Sequence, residues 1–289
     1  MKRFMPVTEL ARDERFERIT EAIRLADPRS GAVNDRADQQ RRSSNRITPD
    51  RKDASEAARR LMHGIFTGEI QALEGAGRTC WDFTVADKGG TDTIPFALKL
   101  DMARQCWDEA RHCEISVKLS DWMGSEIGEF AENTVLFEAA CSSDAVLRLA
   151  GVNRALEGLA IDVFTTMREF GEAAGDPVLS FCEDWMLADE VTHVKMGSDW
   201  LRRLTADDPE RKKQALEFQA IVDKLFSYGG ARSESQESPL GIARRFRELA
   251  GFSEDEIDEI AAVSLAALRE AEARRAAARE RAGDLVAAD

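Results

Sequence analysis

Tyrosine occurs once in this chain, at Tyr228, and proline seven times in 289 residues, and no window is as apolar and as long as a bilayer crossing demands. Each scarcity excludes something. The missing apolar run leaves no expected membrane span. Few helix breakers and few aromatic strand formers, in a chain dominated by Ala, Glu, Arg and Leu, lead to an expectation of mostly helix and scarce strand. Basic charge is in deficit, 40 Lys and Arg against 54 Asp and Glu, for a formal charge of −14 and a pI near 4.9. That balance argues against nucleic acid or an anionic membrane as partner, since both are bound chiefly through Lys/Arg patches. Cysteine is sparse and odd in number: Cys80, Cys106, Cys113, Cys141 and Cys182, with no Cys-x-x-Cys. Neither a disulfide framework nor a zinc knuckle fits, and the five read as small buried residues of a reduced, cytoplasmic protein. Charged rather than apolar sequence follows Met1 to Pro6, so no signal peptide is expected.

Histidine is the scarcest metal-binding residue, with three copies, and two of them follow a Glu by three positions. Cys106-Trp107-Asp108-Glu109-Ala110-Arg111-His112 is echoed by Leu187-Ala188-Asp189-Glu190-Val191-Thr192-His193. Residues three apart are neighbours on one helix face, so each pair can offer a carboxylate oxygen and an imidazole nitrogen to one metal ion. With 29 Glu in the chain, one Glu-x-x-His arises readily by chance; the weight comes from internal repetition. Glu69 to Glu74 lies 40 residues before Glu109, and Glu157 to Asp162 lies 33 before Glu190, so each half reads Glu-x-x-x-x-acid and then Glu-x-x-His. An antiparallel helix pair needs about 30 residues for such a separation. The first half's seven extra residues can occupy the turn at Ala86 to Asp92, which contains Gly89-Gly90. By spacing alone, Glu74 can replace Glu69 if the first helix is rotated.

Two core helices carrying Glu and two carrying Glu-x-x-His match the ligand recipe of binuclear carboxylate bundles. The candidate ligands are Glu69, Glu109, His112, Glu157, Glu190 and His193. Four carboxylates balance two divalent ions, and an oxygen and imidazole donor set suits iron, with manganese as the other candidate. Without cations, four inward glutamates carry a large desolvation and repulsion cost. Glu74 and Asp162 are second candidates of another kind, groups that could orient the imidazole rings.

In chain order, residues 7 to 26 read as a peripheral helix and 28 to 53 as a polar arm around Arg41-Arg42-Ser43-Ser44-Asn45-Arg46, read as solvated loop. Core helices are expected at about 54 to 83, 94 to 123, 144 to 174 and 177 to 204, with a partly helical connection at 125 to 143. His63, on the opposite flank of the first helix from Glu69, reads as structural. A fifth helix at 208 to 227, a break at 229 to 235 and a charged helical tail from 241 to 282 complete the reading. The domain expectation is an N-terminal helix and arm (1–53), a di-metal four-helix bundle (54–205) and a C-terminal helical extension packing on it (206–289).

The segments Leu61 to Ala72, Asp108 to His112, Arg154 to Asp162 and Asp189 to Trp200 resemble a bacterial ferritin-like family of uncharacterised function. The resemblance covers about residues 45 to 260 and includes Ala243-Arg244 and Ala250-Gly251-Phe252. It implies an all-α, ferritin-like four-helix bundle of di-iron type, with a long connection between helices two and three and extra N- and C-terminal helices. The matched positions imply Glu69, Glu109, His112, Glu157, Glu190 and His193 as ligands. Two departures stand out: Thr67 occupies the position two before the first Glu, where the family tends to have His, and the first turn is longer.

The resulting functional expectation is a non-heme di-iron oxidoreductase with two Fe ions and O2 as co-substrate. It would oxidise a small organic molecule by hydroxylation, desaturation or amine oxidation, with an electron donor as partner and a homodimer compatible with the reading. Trp107, Phe164 and Trp185 are candidate pocket residues. The alternative is a ferroxidase or dimanganese catalase-like protein without an organic substrate.

Overall fold

The computed structural model describes residues 54–132, 134–228 and 242–266 together with 269 and 273, and these are mostly helical. The expected helix at 7–26, the arm at 28–53 and the break at 229–235 lie outside the described residues. Four long helical stretches carry the architecture: α1 (Glu56–Asp82), α2 (Phe96–Trp122), a compound third stretch, and α6 (Pro177–Leu204). The third stretch joins α4 (Ala145–Arg148), a π-helical segment (Leu149–Leu156) and α5 (Glu157–Ala174). A short α3 (Val135–Ala140) lies in the long connection, and α7 (Pro209–Tyr228) and α8 (Arg244–Leu249) follow the four, with further helix at residues 254 to 266. No helix among the described residues is long and apolar enough to cross a membrane.

Local chemistry sets these limits. Ser55 caps α1 by accepting from Ala58 N at 3.2 Å, and Asp144 caps α4 by accepting from Val146 N and Leu147 N. Asp176 caps α6 in the same way, with Pro177 in the first turn, where its missing N–H costs nothing. Gly175, at φ +66°, ends α5 in the left-handed conformation that a side chain would strain. The expected bounds of the four stretches hold to within two residues. The exception is internal: eight residues of the third are π-helical rather than α-helical.

α1 and α2 are antiparallel neighbours, joined by β1 (Thr84–Val85) and β2 (Thr93–Ile94), which pair in parallel, with residues 86–92 forming the turn between them. α5 and α6 form the second antiparallel pair, and α1 meets α5 while α2 meets α6. The buried positions of α1, from Ala58 through Met62, Ile65, Phe66 and Glu69 to Ala72 and Ala76, recur at three- and four-residue steps, as one inward face requires. Gly197 permits the closest approach of α6 to the π segment: a Cβ there would meet that of Asn153 at 2.4 Å. The C-terminal residues pack on this frame. Arg247 is wholly buried, paired with Asp162 at 2.7 Å and donating to Gly158 O. The five cysteines are free thiols, half-buried rather than fully buried as expected.

Candidate metal centre

Glu109 and His112 sit one turn apart on the inner face of α2, and Glu190 and His193 do the same on α6. Glu69 comes from α1, and Glu157 is the first residue of α5, where the π segment ends. The structure brings all six together. Their ligating atoms form two overlapping groups, Glu69/Glu109/His112/Glu190 and Glu109/Glu157/Glu190/His193, each within 4.8 Å. Glu109 and Glu190 belong to both groups, and none of the six is more than 4% exposed.

The imidazoles are oriented alike. His112 Nδ1 lies 3.0 Å from Glu69 Oε2, 3.1 Å from Glu109 Oε2 and 3.0 Å from Glu190 Oε1. His193 Nδ1 lies 3.1 Å from Glu109 Oε1 and 3.4 Å from Glu190 Oε2. The outward nitrogens cross over: His112 Nε2 meets Asp189 Oδ2 at 3.3 Å, and His193 Nε2 meets Asp108 Oδ2 at 3.3 Å. Each aspartate therefore steadies the histidine of the other helix. Arg111 pairs with both aspartates, and its guanidinium lies over the Trp185 ring at 4.7 Å. A proton on Nε2, donated to the aspartate, leaves the Nδ1 lone pair facing the carboxylates, the tautomer a metal ligand needs.

Gln105, one turn before Glu109, donates to Glu109 Oε1 at 3.1 Å and to Glu157 Oε1, and its own oxygen accepts from Asn153 Nδ2 at 2.6 Å. Asn153 belongs to the π segment, so the widened turn reaches the centre through Gln105. A wider turn in the helix ahead of Glu157 is where such local departures often serve a site.

Positive charge is what the cluster lacks. Burial and the nearby carboxylates of Glu190 and Glu109 push the Glu69 carboxyl well up, and burial with Glu109 and Glu190 does the same to Glu157. Burial opposes ionisation of Glu109 as well, yet His193 and His112 outweigh it and hold that carboxyl below its usual range. Burial works against protonation of the imidazoles, and the surrounding carboxylates overcome it, raising both His112 and His193. The surplus of negative charge thus draws protons where cations would otherwise sit. His193 Nδ1 and both oxygens of Glu190 have no hydrogen-bond partner despite their mutual closeness. Buried donor atoms that converge without bonding one another fit divalent ions between them, and four carboxylates neutralise two such ions. The cluster could hold metal.

Not every expected residue belongs. Glu74 is exposed, and Asp162, though buried, pairs with Arg247 and accepts from Ala243 N; neither orients an imidazole. Phe164 and Trp185 do stand edge-on to His112, with ring centroids 6.1 and 5.9 Å away. Trp107, 66% exposed, faces outward rather than into a pocket. His63 is buried away from the centre, 2.7 Å from Glu132 and accepting from Gly128 N. Asp108, Asp189, Gln105 and Asn153 were missed, although a signal exists: an Asp precedes the Glu of both Glu-x-x-His motifs, and an amide residue stands four places before Glu109 and Glu157.

The chain matches the family model described as a protein of unknown function, DUF455, over residues 2–258. No curated protein and no solved structure matches it.

Proposed function

We propose for this chain, which belongs to the DUF455 family of proteins of unknown function, a ferritin-like four-helix bundle that holds two iron ions and oxidises a small organic molecule with O2. The observation that carries the reading is the pair of donor groups overlapping at Glu109 and Glu190. Glu109 and Glu190 belong to both groups, so with Glu69 and His112 they would hold one ion, and with Glu157 and His193 the other. Two reduced irons there would supply electrons to O2.

The protein's own contribution is positioning and dryness. With metal bound, Asp108 and Asp189 would accept hydrogen bonds from the Nε2 protons and leave each Nδ1 lone pair aimed inward. Gln105 ties Glu109 to Glu157 across the seam of the two halves. Met62, Phe164, Met186 and Leu187, all buried, belong to the apolar core that shields the centre from bulk water, which strengthens every charge interaction inside.

Metal analysis of purified protein, followed by oxygen uptake after reduction, tests the reading. The expected result is two irons per chain and uptake that depends on an added organic substrate. One tightly held zinc would end it. Rapid growth of an iron mineral core, or brisk peroxide disproportionation by a manganese form, would transfer the same ligands to the alternative of a ferroxidase or dimanganese catalase-like protein.

A further inference from the structure

Toward the Pro177 end of α6, on the Glu69 side of the centre, the interior holds a second polar group. Glu183 lies two turns before Glu190, fully buried, and neither of its carboxylate oxygens has a hydrogen-bond partner. The pairs Asp108 with His193, His112 with Asp189, and Trp122 with Asp176 fix the antiparallel register of α2 against α6. Continuing that register brings Ser116 and Ser120 to the level of Glu183. Both serines are buried, and neither hydroxyl has a partner.

The serines are unusual within this chain. Thr79, Thr165, Thr166, Thr192 and Thr205 each donate to the carbonyl four residues earlier at 2.7–3.1 Å, the ordinary fate of a helical hydroxyl. Ser116 and Ser120 do not. Leu179, Met186 and Leu187, one turn to either side of Glu183 on α6, belong to the apolar core, and none of them can bond a carboxylate. Packing alone would be better served by leucine or methionine, because a buried polar group without a partner is a cost to the fold.

We propose that Glu183, Ser116 and Ser120 form a recognition subsite for the ammonium group of a small organic substrate. The assignment rests on the oxidase reading and names its substrate class. An ammonium presents three N–H donors and one positive charge; the subsite presents a carboxylate and two hydroxyl oxygens. A carboxylate or phosphate ligand brings no positive charge to set against an ionised Glu183 and meets like charge once that carboxyl ionises. With the subsite empty, burial and the nearby Glu69 push the Glu183 carboxyl well above its usual range, and an entering cation supplies the charge that lets it ionise. The substrate's carbon skeleton would then lie toward Glu69 and His112, beside the edge of Phe164.

Calorimetric titration with propylammonium, propionate and 1-propanol tests this, on metal-loaded and on metal-free protein, with metal content measured in parallel. Propylammonium should bind to both forms in preference to the other two probes. Glu183→Gln should weaken it by about thirtyfold or more with metal content unchanged. Should that variant fail to fold, the paired change Ser116→Ala with Ser120→Ala should show a smaller loss in the same direction. Equal affinity in the variants, propionate binding as tightly as propylammonium, or loss of metal in Glu183→Gln would each overturn the proposal. A protein that binds propylammonium through Glu183 but never holds two metal ions would instead refute the oxidase reading and leave the subsite standing.

Discussion

Glu157 and Glu69 hold equivalent places in the repeat, yet their surroundings differ. Glu157 follows the π segment and receives Gln105, whose oxygen is held by Asn153, while the close pass of Gly197 presses α6 onto that segment. Glu69 meets His112 at 3.0 Å, and beyond it lie the edge-on rings of Phe164 and Trp185 and the unpartnered Glu183. One half of the centre is tied into a hydrogen-bond network; the other opens onto polar groups still waiting for a partner. On the proposed reading, rigidity on one side and spare bonding capacity on the other would give a symmetric donor set two different tasks: Glu157's half would anchor, and Glu69's half would face the substrate.

Removing what the halves share should have the largest effect. Glu109→Ala with Glu190→Ala should abolish binding of both ions by metal analysis, whereas Glu69→Ala or Glu157→Ala alone should leave about one. Loss of both ions, by that double change or by chelation, should lower the melting temperature by roughly 5 to 10 °C, since ligand at 100 times Kd adds about 2.7 kcal/mol. An unchanged melting curve on chelation would mean that the halves do not share a buried metal centre.

A crossed effect of intermediate size should follow from the aspartates. In a Glu157→Ala background, where the Glu69 half remains, Asp189→Asn should weaken metal binding by about 10- to 100-fold while Asp108→Asn changes it little. In a Glu69→Ala background the dependence should reverse. Competition titration with a chelator of known affinity measures both, and uncrossed behaviour would contradict the geometry.

The smallest effect concerns Glu183. Its folded carboxyl titrates above its unfolded value near 4.5, so between the two the folded state carries the extra proton and stability falls as pH rises. Glutamine cannot ionise. Glu183→Gln should therefore melt about 3 °C or more above the native protein at pH 7.5, with the gap closing near pH 4.5. A gap independent of pH would show that the carboxylate bears no such cost.

Much of this was legible because the relevant signals are local. Ser55, Asp144, Asp176-Pro177 and Gly175 punctuate the helices through backbone chemistry, and the doubled Glu-x-x-His survives as spacing on one helix. Expectation failed where a partner is chosen by another helix. A step of five residues turns a side chain by about 140°, which carries Glu74 to the exposed face and Asp162 to the side where Arg247 docks. The true orienting groups, Asp108 and Asp189, stand beside their glutamates in sequence, but their roles exist only once α2 and α6 are neighbours. Glu183 has no counterpart in the repeat: seven residues before Glu109, the matching place on α2 is Met102.

The crossing of the aspartates also bears on ancestry. The hairpin of α1 and α2 contributes Glu69, Glu109 and His112, but the aspartate that steadies His112 belongs to the other hairpin, as does Glu190, which both donor groups share. The hairpin of α5 and α6 is incomplete in the mirror-image sense, because Asp108 and Glu109 must come from its partner. Neither hairpin carries a complete donor set of its own. If the repeat records a duplication, the unit that was copied could assemble this centre only as a pair, and fusion turned an association between two chains into a fold within one.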